Sequence, residues 1–402
     1  CADRLTQALR DDNRVLTDQL RDTLNADALL NPEIIQCAIE ELNNKASAGS
    51  DGWPAEYYKL IAPRELDEQK KRTEPSDFAK LLAKYYREML DMPPEEREMP
   101  IEMRTSILSL IYKKEDRDHL KNYRPIACCN LTFRILGKAM VIAMRPILPH
   151  LISNLQVAFQ RDKTISDNLR LVQDIMEYCE KENEEGMLVF CDQDGAYPRV
   201  EWDVLTHTME TMNLHPDFIN LVELMYKNPL IHIKINGHID KEAFSPKNGL
   251  HQGCCLSPIL YLLYLQNFLS LIDTAGLNND PSETCRLHGI MIPKEEIGKT
   301  VELKAGCFAD DLVAFLRNAS QLPNFLTLLH IYEQGSGALN SWEKTNALRI
   351  GTLQGSDYLP PGWIDSTKKV KGLTSIDCSA AIIRYLGIFL GAPEEIAKKW
   401  QE

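Results

Sequence analysis

The stretch Phe308-Ala309-Asp310-Asp311 decides how this sequence is expected to fold. It lies between two largely apolar runs, residues 301–307 and 312–316, and this pattern predicts a β-hairpin with the polar residues in its turn. Most tight hairpin turns carry Asn-Gly or Asp-Gly instead. Two adjacent aspartates repel each other, so a turn that holds both is favoured when a cation binds there. For an isolated Asp-Asp pair, a solvated turn is the ordinary alternative.

A third carboxylate, Asp192, ends the apolar run at residues 187–191, which predicts a buried strand. Two strands that each end in Asp suit a site for two metal ions, which lie about 3.5–4 Å apart and stabilise both sides of a phosphoryl transfer. We therefore predict that Asp192, Asp310 and Asp311 are catalytic residues and ligands of two Mg²⁺ ions. Mn²⁺, which also takes oxygen ligands, is the alternative ion.

Composition limits the classes of protein to consider. The 402 residues predict two or three domains or subdomains, and the hydrophobic content of 44% is enough for a sizeable core. The net charge of −13 is unusual for a nucleic-acid binder, but basic residues gather at residues 104–124 and 134–145, where a local basic face can contact phosphate. The 11 cysteines lack the spacing of a zinc site, which predicts reduced thiols in the nucleus or cytoplasm.

The ends of the chain and its longest apolar run bear on location. No charged and apolar leader opens the sequence, so no signal peptide or other targeting signal is expected. The run at residues 256–272 is too short, and too interrupted by polar residues, to cross a bilayer, so no membrane partner is predicted. A first residue other than Met and an abrupt end at Glu402 are expected of a fragment of a longer polyprotein.

Strands and helices interleave without a regular βαβ period, which favours an α+β fold with an antiparallel sheet. Ile231, Ile233 and Ile235 alternate before Asn236-Gly237, and this pattern predicts a hairpin with a type I′ turn. Residues 383–390 are predicted to form a final strand.

The order of motifs resembles that of the reverse transcriptases of LINE-type (non-LTR) retrotransposons, from about residue 42 to residue 391. The matching segments, in chain order, are Ala48-Gly49-Ser50-Asp51-Gly52-Trp53-Pro54, Ile111-Tyr112-Lys113-Lys114, Asn122-Tyr123-Arg124-Pro125-Ile126, Gln156-Val157-Ala158-Phe159-Gln160-Arg161, Ser166-Asp167-Asn168, Asp192 through Ala196-Tyr197, Gly249-Leu250-His251-Gln252-Gly253-Cys254, Leu256-Ser257-Pro258, Phe308-Ala309-Asp310-Asp311, Ser336-Gly337-Ala338-Leu339-Asn340, Glu343-Lys344-Thr345 and Tyr385-Leu386-Gly387. Any one segment is weak evidence, whereas their joint occurrence in order is specific.

The resemblance implies the fingers and palm of a right-hand polymerase, with an antiparallel palm sheet backed by helices. It divides the chain into an N-terminal helical extension at residues 1–100 and a reverse transcriptase region at 101–402. Within that region the fingers are expected at about 103–168 and the palm at about 186–391. Few residues follow the palm, so the thumb is expected to be largely missing.

The activity implied is that of an RNA-directed DNA polymerase, which adds dNTPs to a primer 3′-hydroxyl. The expected partners are an RNA template, a DNA primer and dNTPs, and the resemblance also implies an upstream endonuclease and downstream thumb regions that this chain does not show. A catalytically silent, degenerate remnant that at most binds RNA is the alternative. The three intact aspartates favour the polymerase, while Pro198, His251 and the acidic charge keep the alternative open.

By the resemblance, Asp192 and Asp310 bind both metal ions and Asp311 completes the acidic cluster. The backbone carbonyl of Gln193 is a candidate extra ligand, since Mg²⁺ is bound octahedrally by oxygen. Lys344 is a candidate general acid for the departing pyrophosphate. An ordinary surface lysine is the alternative interpretation of Lys344.

The resemblance also assigns residues to the nucleotide. Lys113 and Arg124 are expected over the triphosphate, with solvated surface charge as the alternative. Tyr197 is expected beneath the sugar, where a ring excludes a 2′-hydroxyl, with a core aromatic as the alternative. Gln252 and Gly253 are expected near the template base and the nucleotide, and a simple loop before a helix is the alternative.

Four positions depart from the family's usual residues. Gly195 and Pro198 stand where a polar residue and Asp are usual, and Pro198 fixes φ just after the predicted site. His251 replaces a usual Arg, so weaker contact with the template is expected. Cys255 replaces a usual Pro.

Overall fold

The computed structural model describes residues 1–64, 74–276, 285–294, 298–342, 344–353, 382–391, 396 and 398–399. The chain divides into two compact units, each assembled from separate parts of the sequence. Unit 1 comprises Cys1–Arg14, Ile152–Arg199 and Leu265–Glu402, and unit 2 comprises Val15–Leu151 and Val200–Tyr264. The domain boundaries proposed from the sequence stay a prediction.

Several helices begin at a residue whose side chain caps them, as the local sequence favours. In the fourth helix, for example, Asn31 Oδ1 accepts a hydrogen bond from the backbone N–H of Glu33 at 2.9 Å, and Pro32 occupies the first helical position. The helices are α1 (Ala2–Asp11), α2 (Asp18–Arg21), α3 (Ala26–Leu29), α4 (Pro32–Glu40), α5 (Ala55–Ile61), α6 (Asp77–Asp91), α7 (Ile101–Arg104), α8 (Leu131–Met144), α9 (Leu148–Leu151), α10 (Ile165–Lys181), α11 (Trp202–Thr211), α12 (Pro216–Tyr226), α13 (Ser257–Thr274) and α14 (Leu322–Ser336).

Within the residues that the structure describes, the strands form two four-stranded sheets and two separate hairpins. They are β1 (Thr105–Tyr112), β2 (Tyr123–Cys129), β3 (Glu185–Cys191), β4 (Leu230–Ile235), β5 (His238–Phe244), β6 (Ile290–Lys294), β7 (Lys299–Leu303), β8 (Ala305–Phe308), β9 (Asp311–Leu316), β10 (Asn346–Gly351), β11 (Ile382–Tyr385) and β12 (Ile388–Gly391). Mixed helices and sheets agree with the predicted α+β class.

Unit 1 is built around an antiparallel sheet with the strand order β10-β3-β9-β8. Its core is a cluster of buried side chains from α10, from this sheet and from the β11–β12 hairpin, including Val172, Phe190 and Phe315. The strands β3 and β9 are buried along nearly their whole lengths, as the continuous apolar runs predicted.

Two strand predictions in unit 1 are wrong. Residues 301–307 form parts of two strands, because β7 pairs with β6 while β8 pairs with β9. The change of partner falls at Lys304, whose buried ammonium donates to the carbonyl of Asp273 at 3.1 Å. Residues 383–390 form a hairpin rather than one strand, because Leu386 and Gly387 adopt positive φ values of 46° and 94° and turn the chain back.

Unit 2 contains the sheet β2-β1-β4-β5. Its β1 and β4 strands pair in parallel, which the sequence pattern did not indicate, and its other pairs are antiparallel. The predicted hairpin between β4 and β5 is confirmed: Asn236 and Gly237 have φ values of 51° and 86°, and positive φ at both central residues is the requirement of a type I′ turn. Among the described helices of both units, none combines the length and hydropathy needed to cross a bilayer.

Candidate active site

Strand register in unit 1 brings two of the three predicted catalytic aspartates side by side. The antiparallel pair of β3 and β9 ends with Cys191 opposite Leu312, so the next positions, Asp192 and Asp311, face each other at the end of the sheet. Asp311 is also the partner of Phe308 across the tight turn that joins β8 to β9. Asp310 lies in that turn, directly before Asp311. The three residues therefore lie near one another along the backbone at one end of the sheet.

The turn that carries Asp310 is held by a buried side chain, Gln156. Ala309 has a φ of 56°, a value that side chains other than glycine rarely adopt. Gln156 Oε1 accepts from the backbone N–H of Ala309 at 2.9 Å, and Gln156 Nε2 donates to the carbonyl of Ala309 at 3.1 Å. The segment around Gln156 is anchored in turn, because Val157 N donates to the carbonyl of Cys307 at 3.0 Å. Gln156 belongs to one of the segments that resemble the family. It lies 153 residues before Ala309, so the local sequence does not indicate that it holds this turn.

Lys344 lies against the first of the aspartates. Its Nζ is 2.8 Å from Asp192 Oδ2, although the lysine side chain is 62% exposed and the aspartate side chain 35%. The preceding loop is fixed by backbone hydrogen bonds, since Ser341 N donates to the carbonyl of Asp192 at 2.7 Å and Asp194 N donates to the carbonyl of Leu339 at 2.9 Å. The structure therefore brings Lys344 into the group of aspartates. Glu343, quoted in the same motif, lies outside the described residues.

Tyr197 belongs to the same region of unit 1. Burial raises the pKa of the Tyr197 hydroxyl to about 12, and the negative charge of Asp310 adds to this shift, so the ring is within electrostatic reach of that carboxylate. Gly195, which stands where the family usually has a polar residue, has a φ of 65°. Glycine adopts such positive values without strain. Pro198 is exposed, and Arg199 beside it forms an ion pair with Asp194, with 2.8 Å between Nη2 and Oδ2.

The donor set fits a divalent cation by its chemistry. Carboxylate oxygens are the ligands that Mg²⁺ prefers, and the carboxylate of Asp192 already contacts a cation, the ammonium of Lys344. Gln193, whose carbonyl is the predicted extra ligand, forms an isolated antiparallel bridge with Asn340. Within the described residues, no three acidic, histidine or cysteine side chains are already arranged as a metal-binding group. The predicted metal ligands therefore stay a prediction.

The other predicted nucleotide-binding residues lie in unit 2. Lys113 and Arg124 are exposed at the end of the β1–β2 pair, where Ile111 is opposite Arg124 and Lys113 N donates to the carbonyl of Asn122 at 2.8 Å. Because side chains alternate along strands, this register places Lys113 and Arg124 on one face.

Gln252 and Gly253 form a loop that is fixed to β2 of the same sheet. The carbonyl of Gln252 accepts from the N–H of Ala127 at 2.6 Å. Gly253 has a φ of 137°, and a Cβ atom there would lie 2.3 Å from the carbonyl oxygen of Ala127. Only glycine fits this close approach of two backbones. Glycine is therefore required at position 253 by the packing of the loop on β2, whether or not this residue contacts a nucleotide.

His251 lies inside unit 2, with 7% of its surface exposed. Its ring stacks on Tyr226 at a centroid distance of 5.3 Å and meets the edge of Phe133 at 5.6 Å. Burial lowers the pKa of His251 from 6.5 to about 4, so the ring is neutral at pH 7. The expected weakening of template contact through this residue is not supported, because the side chain is enclosed by aromatic rings.

Two comparisons with known proteins agree with the order of motifs. The family model described as "Reverse transcriptase (RNA-dependent DNA polymerase)" matches residues 111–390, which is more than half of the chain. The "Transposon TX1 uncharacterized 149 kDa protein" of Xenopus laevis is 26% identical over 358 residues, which cover 89% of this chain and 24% of that protein. The chain thus spans about a quarter of the length of the curated relative that it matches. The chain therefore belongs to the reverse transcriptase (RNA-dependent DNA polymerase) family, a family of nucleotidyltransferases, and the transposon relative agrees with the resemblance to the enzymes of LINE-type retrotransposons.

Proposed function

We propose that this chain is an active RNA-directed DNA polymerase, which adds dNTPs to a primer 3′-hydroxyl on an RNA template. The observation that carries the proposal is the register that sets Asp192 opposite Asp311, with Asp310 in the adjoining turn. Three carboxylates carried by neighbouring backbone segments can converge into a strongly negative group. Such a group is destabilising unless it binds cations, and two-metal phosphoryl transfer uses this kind of group.

In unit 1, Asp192 and Asp310 would hold two divalent ions, with Asp311 as a further ligand. Bound there, the ions would lower the pKa of the primer hydroxyl and neutralise charge on the transferring phosphate. We propose that Lys344, positioned by its contact with Asp192, supplies a proton to the departing pyrophosphate. We propose that Tyr197, within reach of Asp310, excludes the 2′-hydroxyl of a ribonucleotide.

In unit 2, we propose that Lys113 and Arg124 bind the triphosphate of the incoming dNTP. Their exposure and their shared face of the β1–β2 pair support this role, since two neighbouring cations suit a polyanion. We propose that the Gln252–Gly253 loop contacts the template base and the nucleotide. Its fixed attachment to Ala127 supports this role, because a rigid loop loses little conformational entropy on binding.

The family also suggests names for the parts of the chain. We propose that the sheet containing β3 and β9 is the core of a polymerase palm and that the β1–β2 pair belongs to the fingers. The relative's printed name supports the further proposal that the chain derives from a transposon protein. That a thumb and an endonuclease lie in other parts of that protein is proposed from the resemblance to the LINE-type enzymes.

The silent remnant is not favoured as the alternative. A decaying copy is expected to accumulate changes at the catalytic residues and at the residues that hold them, yet the three aspartates, Lys344 and Gln156 are all in place. The two departures that raised this alternative, Pro198 and His251, are an exposed residue and a well-packed one.

Primer extension on an RNA template, with Mg²⁺ or Mn²⁺, tests the proposal. We expect Asp192→Asn to abolish nucleotide incorporation, because the ions held by this group are worth several kcal/mol at the transition state. Asp194→Asn is the matched control, since Asp194 lies two residues away, is ion-paired with Arg199 and has no proposed role.

The two variants separate the possible outcomes. Extension that is lost in Asp192→Asn and kept in Asp194→Asn supports the assignment, provided that both variants melt at the temperature of the unmodified chain. Near-normal extension by Asp192→Asn would show that Asp192 is not a catalytic ligand. A correctly folded chain that includes the downstream thumb region and still extends no primer with either ion would favour the silent remnant instead.

A further inference from the structure

The segment that carries Lys344 is held by two buried side chains of unit 1 that have no part in the proposed chemistry. Asn340 has 6% of its surface exposed and Thr345 has 1%. Asn340 Nδ2 donates a hydrogen bond to Thr345 Oγ1 at 2.7 Å. Because Asn340 precedes Lys344 and Thr345 directly follows it, this bond joins the two ends of the lysine segment, residues 340–345.

The Thr345 hydroxyl closes the lysine segment at its C-terminal end. It accepts from Asn340 and donates to the carbonyl of Ser341 at 3.0 Å. The backbone N–H groups of Lys344 and Thr345 donate to the same carbonyl, at 3.0 Å each. A hydroxyl has one proton and rotates to suit its partners, so the bond from Asn340 keeps the Thr345 proton directed at Ser341.

Asn340 fixes the other end of the lysine segment. Its backbone N–H donates to Glu333 Oε1 of α14 at 2.8 Å, and its backbone forms the bridge with Gln193. The next N–H, that of Ser341, donates to the carbonyl of Asp192 at 2.7 Å. The Asn340 side chain therefore starts from a backbone position that is set relative to Asp192 itself.

The amide of Asn340 is not explained by packing alone. Within the part of the chain that the structure describes, its Oδ1 atom is buried and has no hydrogen-bond partner. A buried polar oxygen without a partner costs free energy, so an apolar residue of similar size would be favoured here if packing were the only requirement. The bond that the amide does make is the bond to Thr345, which indicates that the amide serves to hold the lysine segment.

The position of the Lys344 ammonium depends on this hold. Its Nζ lies 2.8 Å from Asp192 Oδ2, but the lysine side chain is 62% exposed, and an exposed ion pair by itself is weak. A long exposed side chain loses rotamer freedom when it is held in one geometry, and a mobile backbone would add to that cost. The hydrogen bonds of Asn340 and Thr345 supply a fixed backbone from which Lys344 reaches Asp192.

We propose that Asn340 and Thr345 are positioning residues, whose side-chain hydrogen bond sets Lys344 against Asp192 for proton transfer to the departing pyrophosphate. The inference rests on the proposed polymerase function and extends it to two residues that act through Lys344. In the transfer, an N–H bond of the ammonium breaks and its proton goes to the leaving oxygen of the pyrophosphate, while the bond from that oxygen to the transferring phosphorus breaks and the bond to the primer oxygen forms. The neutral amine regains a proton from solvent.

Two variants of Thr345, assayed by primer extension on the chain with its downstream thumb region, test the proposal. Thr345→Val removes the hydroxyl at nearly constant volume. We expect its kcat to fall by roughly tenfold with little change in the KM for dNTP, because a misplaced proton donor affects the transition state more than binding. Thr345→Ser keeps the hydroxyl and should retain most of kcat. Unchanged kcat in Thr345→Val, or an equal loss in Thr345→Ser, would overturn the proposal.

Thr208→Val is the matched control for the loss of a buried hydroxyl. Thr208 is 2% exposed and lies in unit 2 with no proposed role, and its hydroxyl donates at 2.8 Å to the carbonyl four residues earlier, as that of Thr345 does. We expect the kcat of Thr208→Val to stay close to that of the unmodified chain. In a Lys344→Met background, Thr345→Val should lower kcat no further, because the pair acts through Lys344. A loss of about tenfold in either case would overturn the proposal.

Hydrogen exchange of the backbone amides tests the hold without any polymerase activity. In Thr345→Val we expect the amides of Ser341 and Thr345 to exchange about tenfold faster, and those of the β4–β5 hairpin to exchange at the rate of the unmodified chain. Unchanged exchange at Ser341 and Thr345 would overturn the proposal. Faster exchange in a chain that extends no primer would support the hold on Lys344 and overturn the proposed function, so the two failures are distinguishable.

Discussion

Two hairpins of this molecule make their two-residue turns by different means. The turn between β4 and β5 has Asn236-Gly237, the residue types that a two-residue turn favours, and a Cβ atom on Gly237 would meet no atom within 4 Å. The turn between β8 and β9 has Ala309-Asp310, with Ala309 in a strained positive φ. The buried amide of Gln156 holds that second turn by two hydrogen bonds.

The difference shows how the site is built. A turn with favourable residues is stabilised by its own sequence, so its position can be predicted from the neighbouring residues alone. A turn that must present carboxylates uses residues with no such preference and is stabilised by a side chain from elsewhere. Five predictions test this contrast between local preference and imposed geometry.

The largest effect is expected for Gln156→Ala. The change removes the partner of the Ala309 N–H and one of two donors to the Ala309 carbonyl, since the Cys307 thiol also donates to that carbonyl at 3.2 Å. A backbone group left without a partner costs about 1–3 kcal/mol when it is buried, and less here because Ala309 is half-buried. A shift of the turn by about 1 Å would move Asp310 and lower the rate of extension by roughly 10²-fold. The measurements are the free energy of unfolding and the kcat of primer extension below the melting transition.

Gln36→Ala is the control for this variant. Gln36 is also fully buried, and its amide bonds Ser76 and the carbonyl of Ala62, but it lies in unit 2 and has no proposed role in catalysis. We expect a comparable loss of stability with little change in kcat. If both glutamine variants lose kcat in the same proportion, Gln156 affects activity only through general stability.

The next effect concerns His251, whose role depends on its buried surroundings more than on its residue type. We expect His251→Arg to lower the free energy of unfolding by about 3 kcal/mol or more, because a permanent charge would be enclosed between Tyr226 and Phe133. His238→Arg is the matched control, since His238 is exposed on β5. Chemical denaturation of the three proteins measures the difference. A stable His251→Arg variant with faster extension would restore the interpretation of His251 as a decayed template contact.

The same residue predicts a dependence of stability on pH. The folded pKa of about 4 lies below the unfolded value of 6.5, so the unfolded chain binds the proton more strongly between these values. The contribution of His251 is fully present above pH 6.5 and is lost as the pH falls toward 4, by roughly 3 kcal/mol at most. In His251→Phe, the loss of unfolding free energy between pH 6.5 and pH 4 should be smaller by this amount. If the variant and the unmodified chain lose stability equally over this range, the lowered pKa of His251 is wrong.

The sequence predicts the parts of the fold and of the site that depend on interactions between residues close together in the chain. The Asn236-Gly237 hairpin and the strands β3 and β9 were predicted because their signals lie within a few residues. The parallel pairing of β1 with β4 and the hold of Gln156 on Ala309 join segments more than a hundred residues apart, and no local pattern encodes them. The break at Lys304 was missed for the same reason, since it depends on carbonyls of α13 and the residue after it.

A smaller effect is expected from exchanging the residues of the two turns. Ala309→Gly removes a strain of about 1–2 kcal/mol but loses about 0.4–1 kcal/mol through the unfolded chain, for a net gain of roughly 0.5 kcal/mol. Gly237→Ala should lower the free energy of unfolding by a similar net amount, roughly 0.5 kcal/mol, because it introduces the same kind of strain. Thermal unfolding of both variants, and of Ala309→Gly combined with Gln156→Ala, measures the coupling. A combined variant that loses as much as Gln156→Ala alone would mean that the amide does not compensate the strain at Ala309.

The smallest effect on the metal requirement is expected for Lys344, whose contact with Asp192 is exposed to solvent. An ion pair that is 62% exposed on the lysine side is worth at most about 1 kcal/mol, so the ammonium competes only weakly with a divalent ion for Asp192. We therefore expect Lys344→Met to lower the Mg²⁺ concentration for half-maximal extension by no more than about fivefold, and to lower kcat if the lysine is the general acid. Arg199→Met is the matched control, because it breaks an ion pair of the same 2.8 Å length at Asp194. A Mg²⁺ requirement that changes equally in both variants would show a nonspecific effect of charge rather than competition at Asp192. A changed requirement with unchanged kcat would keep Lys344 as a counter-ion of the aspartates and remove it as the proton donor.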